Sequence, residues 1–372
     1  MKSKVYFASA KAHEKKENNL LNRIERLYNA LGFNSSLKPM ELVAIKTHFG
    51  ESGTTRYLRP LFLSKLVEAV KISGARPFLT DSNTFYVDRR HNAYEHLLTS
   101  MRHGFYPPSL NAPVIIADGL IGADGVEVSI NGKHFSSVKV ASAIRHANAI
   151  LAATHFKGHV VTGFGGSLKN LGIGCTWRPA KLNTHGARAK ISERCTTCGS
   201  CLDKCHASAI KLIDEKPTVD VDLCYGCGLC TLSCYSDAID PDWKSGSLYT
   251  KEEIEERMVE CAAAALKDKE GKKAFINFVM DVTPECDCEP WADLPIVPDV
   301  GIVASQDIVA VDQASVDLVN GQRGLRESPL KSAFEPGEDK FLALNGVDWS
   351  VQLTYAEELG LGTRSYELVE II

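Results

Sequence analysis

Eight cysteines of this chain lie on one repeated ruler. Residues 195–205, CTTCGSCLDKC, and residues 224–234, CYGCGLCTLSC, both space their thiols as C-x2-C-x2-C-x3-C. That spacing wraps three thiolates around the corners of one cubane and sends the fourth to a neighbouring cluster. Two copies therefore predict two 4Fe-4S clusters with crossed ligands. Cys195, Cys198, Cys201 and Cys234 would hold one, and Cys224, Cys227, Cys230 and Cys205 the other. Gly199, Gly226 and Gly228 suit a backbone that folds tightly around a cluster and aims its N–H groups at sulfur. Paired zinc knuckles are the competing interpretation, but each stretch carries a third inner cysteine that such a site does not use.

What clustered thiols mean depends on the compartment. The first residues, MKSKVYFASAKAHEKK, hold a short apolar run before charges resume, too short for a signal peptide. No later run approaches the ~18 residues of a membrane span. We therefore expect a cytoplasmic protein with no membrane association, where disulfides are rare and grouped cysteines hold metal or do redox chemistry. The 372 residues, 44% hydrophobic and 24% charged, suffice for roughly two domains. A formal charge of -4 argues against non-specific nucleic-acid binding.

Outside the ruler, short β-branched runs alternate with amphipathic stretches, the pattern of an α/β fold with a mainly parallel sheet and flanking helices. Strands are expected at VYFASA, ELVAIKTHF, PFLTDS, PVIIADG, AILAATHF, AFINFVMDV and VGIVAS. Helices are expected at ENNLLNRIERLYNAL, LRPLFLSKLVEAVKISG, SAIRHAN, KEEIEERMVECAAAALKDK and IVAVDQASVDLVN. The cysteine-rich unit is then an α+β insertion at 186–242 between two parts of one α/β domain, 1–185 and 243–372. A unit of this size cannot bury enough apolar surface to fold alone, so its clusters must be its core. Residues 191–240 hold eight acids against Arg194, Lys204, Lys211 and Lys216. That acidic face suits a basic redox partner protein and equally a solvated surface.

In a mainly parallel sheet, ligands bind beyond the carboxyl ends of the strands. Those ends are polar here: Lys46, His48 and Glu51; Asp81 and Asn83; Asp118; His155, Lys157 and His159; and Asp281. Alternation along a strand would set Lys46 with His48, and His155 with Lys157 and His159, toward one crevice. Any one of these residues alone would pass for a capping or solvated loop residue. TGFGGSLKNLGIGC, residues 162–175, follows at once and reads as an anion cradle, with a helix start offering free N–H groups and Lys169 a point charge. It matches neither the phosphate loop nor the dinucleotide fingerprint, and a glycine-rich packing turn remains the alternative. Cys286 and Cys288 are expected near the same edge as a third metal site, a redox pair or plain thiols, and Cys175 could join them. Cys261 lies on an apolar helical face and is expected to be inert.

Residues 191–240 resemble a bacterial dicluster ferredoxin, except that His206 and Tyr235 stand where that family has proline after each last cysteine. Proline ligates nothing, so the departure bears on cluster potentials rather than on cluster binding. KTHFGE, HFKGHVVTGFGGSLKNLGIGC and CDCEPWADLPIVPDVGIVASQDIVAVDQASVDL resemble the family known as domain of unknown function 362, including members with an inserted dicluster ferredoxin. That resemblance implies an α/β iron-sulfur protein and no particular substrate. GFGGSLKNLGIG is also similar to the glycine-lysine loop of the lactate racemase family, which binds a nickel cofactor. Two functions follow. One is an oxidoreductase of the kind suited to anaerobic metabolism, passing electrons through the clusters to a small anionic substrate or further metal in the crevice. Lys46, Lys157 and Lys169 would hold that substrate, and His48 or His155 would donate protons. The other is an electron carrier or metal-handling scaffold with no catalysis of its own.

Overall fold

A computed structural model describes residues 2–12 and 15–371. One eight-stranded sheet organises the chain. Its strands are β1 (Ser3–Ser9), β2 (Leu42–Lys46), β3 (Arg76–Asp81), β4 (Val114–Ile116), β5 (Ala149–His155), β6 (Lys273–Val279), β7 (Gly301–Ser305) and β8 (Tyr366–Glu370). They lie in the order β8-β1-β7-β6-β5-β2-β3-β4. Only β7 runs against the others, pairing antiparallel with both β1 and β6. The expected α/β class and mainly parallel sheet are thus present, and each of the seven expected strands falls on one of these. β8 was not expected.

Helices cover both faces, as parallel strands require. On one side α1 (Leu20–Leu31) and α2 (Pro60–Ile72) pack on Val43, Ile45, Leu151 and Ile276. On the other, α3 (Ser167–Gly172), α5 (Lys251–Leu266) and α6 (Ile308–Asn320) pack on Ala44, Ile150, Phe275 and Val303. Between them in sequence lies α4 (Arg178–Thr184). Alternation along each strand assigns neighbouring residues to opposite cores. Local signals set the helix ends: Asn19 caps α1 through the Asn22 amide, Pro60 opens α2, and Thr250 with Glu253 closes a capping box on α5.

Between α4 and α5 the chain makes two short antiparallel ladders, Ala189–Ile191 with Ile239–Pro241 and Ile210–Ile213 with Lys216–Val219. Their core has few aliphatic residues. Ala189, Ile210 and Ile239 are buried there beside Cys201 and Cys230, with Cys205, Cys224 and Cys234 against them. The segment repeats itself in backbone as well as sequence. Gly199 and Gly228 share left-handed φ values of 76° and 75°, and Ser208 and Asp237 share 52° and 49°.

Candidate functional site

The carboxyl ends of β2, β3 and β5, with the loops after β3, β5 and β6, enclose a cavity of about 500 Å³. Lys46, His48, Asp81, Lys157 and His159 line it, five of the ten residues expected at strand ends, together with Lys169 from the glycine-rich loop. Each cation arrives with an anion. The Lys46 ammonium sits 3.0 Å from Asp81 Oδ1 and donates to Asn170 Oδ1 at 2.7 Å. Gly174 makes this approach feasible, because a Cβ there would meet Lys46 Nζ at 2.4 Å. Lys157 Nζ lies 3.1 Å from Asp287 Oδ2. Lys169 Nζ lies 3.3 Å from Cys286 Sγ.

Sequence reasoning missed three charged members of this site. Arg90 is buried, with Nε donating to Glu51 Oε2 at 3.0 Å and Nη2 to the Tyr86 hydroxyl at 2.9 Å. Lys181, on α4, donates to Ser82 Oγ at 2.7 Å and faces Asp118 at 4.0 Å. Burial moves these two groups toward each other, Lys181 down to about 8 and Asp118 up to about 6. Asp287 is the third. Burial would raise its carboxyl, but His155 and Lys157 outweigh burial and bring it down to about 2. Arg90 and Lys181 lie off the strand ends, where only the fold could place them.

His155 is close by but does not line the cavity. Its Nδ1 faces Asp287 Oδ1 at 2.7 Å, and its Nε2 faces the carbonyls of Met280 and Asp281 at 3.0 Å. Both ring nitrogens are thus engaged inside the protein, one by a carboxylate and the other by backbone carbonyls. His155 therefore sits behind Asp287 rather than on the crevice wall where strand alternation was expected to set it. His48 does line the cavity, with Nδ1 accepting from the Gly50 amide at 3.0 Å. Burial, then Arg90 and Lys157, hold its pKa well below that of a free imidazole.

The glycine-rich loop forms a hairpin, Lys157–His159 with Gly163–Gly165, and then enters α3. The free N–H groups expected at that helix start are taken. Asp312, from α6, accepts from Ser167 N at 2.8 Å and Leu168 N at 2.9 Å. The loop is therefore a packing turn that delivers Lys169 and Asn170, not a backbone cradle. Asp281 also leaves the site, pairing outward with Arg56 and Arg59. Cys175 and Cys261 are buried away from the cavity, and burial pushes both thiols up to about 12.

Cys286 and Cys288 face the cavity on either side of Asp287. The hydrogen bond from the Cys288 thiol, with Lys169 and Lys157 nearby, holds Cys286 well below the ordinary thiol range despite burial. The same hydrogen bond, with burial, drives Cys288 well above it. The other eight cysteines separate into two sets. Cys205, Cys224, Cys227 and Cys230 line one small cavity. Cys195, Cys198, Cys201 and Cys234 line a second. Equivalent amides donate to the outer sulfurs, Ala209 N to Cys205 Sγ at 3.1 Å and Ala238 N to Cys234 Sγ at 3.2 Å. Among the described residues, no three His, Cys, Asp or Glu side chains converge on a single-ion site, and no helix is long and apolar enough to cross a membrane.

No curated protein matches the sequence. Among solved structures, the apoprotein of lactate racemase from Thermoanaerobacterium thermosaccharolyticum is similar at a TM-score of 0.42 and 10% identity, over 86% of this chain and 58% of that one. The chain thus spans less than two thirds of that structure. A family model described as "Domain of unknown function (DUF362)" matches residues 43–317, most of the sheet, the cavity and both cysteine motifs, and the chain belongs to that family.

Proposed function

We propose that this chain is an iron-sulfur oxidoreductase that passes electrons through two 4Fe-4S clusters to a small anionic substrate in the 500 Å³ cavity. The observation that carries the proposal is the position of α4. Its Leu182 lines the cavity edged by Cys205, Cys224, Cys227 and Cys230, while Lys181 and His185 at its end line the large cavity. Residues 186–242 are then an inserted dicluster ferredoxin domain between 1–185 and 243–372.

The cysteines suit cubanes by their chemistry and arrangement. Four thiolates spread around a cavity match a cluster better than a single ion, and amides donating to sulfur stabilise its charge. When bound, such clusters supply single electrons. The chain's own residues account for the substrate. An ammonium has three donors, and Lys157 and Lys169 each spend one on Asp287 or Cys286, which leaves donors for a carboxylate or phosphate. With Nδ1 accepting from Gly50, a neutral His48 carries its hydrogen on Nε2 and offers it to the bound molecule.

The crossing of ligands is the test. In protein purified without oxygen, Cys205→Ser should perturb the same electron-paramagnetic-resonance signal as Cys227→Ser, and spare the one that Cys198→Ser perturbs. If Cys205→Ser instead behaves like Cys198→Ser, the crossed assignment is wrong. If no variant or parent binds iron, the function is wrong.

A further inference from the structure

The segment between β6 and β7 presents two sulfurs to the cavity in an arrangement that the proposed electron delivery leaves without a role. Asp287 anchors the turn. Its carboxylate is gripped by His155 and Lys157, and its carbonyl accepts from the Glu51 amide at 2.8 Å. The Cys288 carbonyl is held by the Tyr86 hydroxyl at 3.2 Å, and the Glu289 amide donates to the Cys286 carbonyl at 3.0 Å, closing a tight turn. Cys286 and Cys288 flank this anchor and are held at the cavity wall, with the Cys288 amide 3.4 Å from Cys286 Sγ.

Three alternatives are open to such a pair, and the surroundings separate them. A metal cation would need further anionic ligands and would sit in a wall that already presents Lys157, Lys169 and Arg90. The sulfur's charge is also already met by the Lys169 ammonium at 3.3 Å, and no third ligand converges among the described residues. An inert thiol would resemble Cys175 or Cys261, which are fully buried, do not line this cavity and have thiols that burial pushes up to about 12. Cys286 instead touches a cation, a second thiol and an accessible cavity, which is the environment of a reactive cysteine.

We propose that Cys286 and Cys288 form a dithiol that reduces a small disulfide carrying anionic groups, with Cys286 attacking and Cys288 resolving. The Cys286 thiolate attacks one sulfur of the substrate, forming a mixed disulfide and expelling one thiolate. The Cys288 sulfur then attacks Cys286 Sγ, passing its proton to the second leaving thiolate and closing a Cys286–Cys288 disulfide. The substrate gains two electrons and becomes two thiols, the first-expelled thiolate taking its proton from solvent, while the cysteine pair loses two. Two electrons from an iron-sulfur donor and one proton from solvent restore the Cys286 thiolate and the Cys288 thiol. Lys169 pairs with the attacking thiolate, and the spare donors of Lys157 hold the substrate's anionic groups. This inference rests on the cavity being the reaction site, but the sulfur chemistry itself needs no cluster.

The test reads sulfur by mass in the full-length protein, kept anaerobic and treated with oxidised glutathione, followed by alkylation and peptide mapping. The parent should show Cys286 and Cys288 joined, lighter by two hydrogens, and Cys288→Ser should trap glutathione on Cys286. Lys169→Met should slow iodoacetamide labelling of Cys286 at neutral pH by about tenfold or more, as loss of a cation beside a thiolate predicts. Cluster absorption of each variant, compared with the parent, separates this from misfolding and from failure of the cluster assignment. An unmodified Cys286 in the parent, glutathione trapped on Cys288 alone, or a metal released only from the Cys286→Ser, Cys288→Ser double variant would overturn the proposal.

Discussion

Asp287 shows how a single side chain can organise a cavity that it does not itself line. It lies between two cysteines, and its carboxylate holds Lys157 and His155. Its folded pKa of about 2 lies below the ordinary 3.8. A depressed carboxyl contributes stability that is fully present above the unfolded value and lost as pH falls through the folded one. The window is therefore pH 4 down to 2, with about 2 kcal/mol at stake. Asp287→Asn should lower stability near neutral pH by about 3–5 kcal/mol, because it leaves buried cations unpaired. It should also flatten the fall between pH 4 and 2, followed by urea denaturation at several pH values. An unchanged acid limb would mean that Asp287 is not what titrates there. Lys46, His48 and Lys157 were legible in the sequence because strand alternation and strand ends are local signals, and Lys169 because a glycine-rich run marks a close approach of the backbone. Arg90 and Asp287 were not, since each acts through partners far away in the chain, such as Glu51 for Arg90 and His155 for Asp287.

At the scale of elements, α3 shows a local rule overridden by packing. Its six residues follow Gly166, and glycines before a helix start suggest a binding site for an anion. The anion is supplied by the protein itself. Asp312 accepts from two α3 amides and from Asn277 Nδ2 at 2.7 Å, and burial raises its carboxyl to about 6. Gly166 has to be glycine here, because a Cβ would meet Asp312 Oδ1 at 2.5 Å. Asp312→Ala should therefore cost about 2–4 kcal/mol, since it orphans buried donors, and should slow Cys286 labelling by loosening Lys169. A variant as stable as the parent in urea would show that α3 does not depend on this cap. The long expected strands and helices appeared where periodicity and caps were clear. β8 was missed because YELVE lies at an edge, half-exposed, with no apolar face strong enough to mark it.

At the scale of the whole molecule, two kinds of core stand side by side. The sheet buries aliphatic and aromatic residues on both faces, and it should survive loss of metal. The segment between α4 and α5 buries cysteines in place of a full aliphatic core, so it should lose its structure when iron is removed. Anaerobic chelation should then make residues 189–241 sensitive to protease while the flanking sheet stays resistant. Uniform resistance would show that this segment folds without metal. The division of the eight cysteines into two sets was legible because the repeated spacing is written directly in the sequence. The place where the two cores meet, at α4, was not, because it depends on the packing of Leu182, Lys181 and His185.

Whether these cysteines hold two cubanes is decided by iron and acid-labile sulfide per chain in protein purified without oxygen. The account predicts about eight of each, the content of two 4Fe-4S clusters. About two zinc ions per chain, with no sulfide, would contradict it.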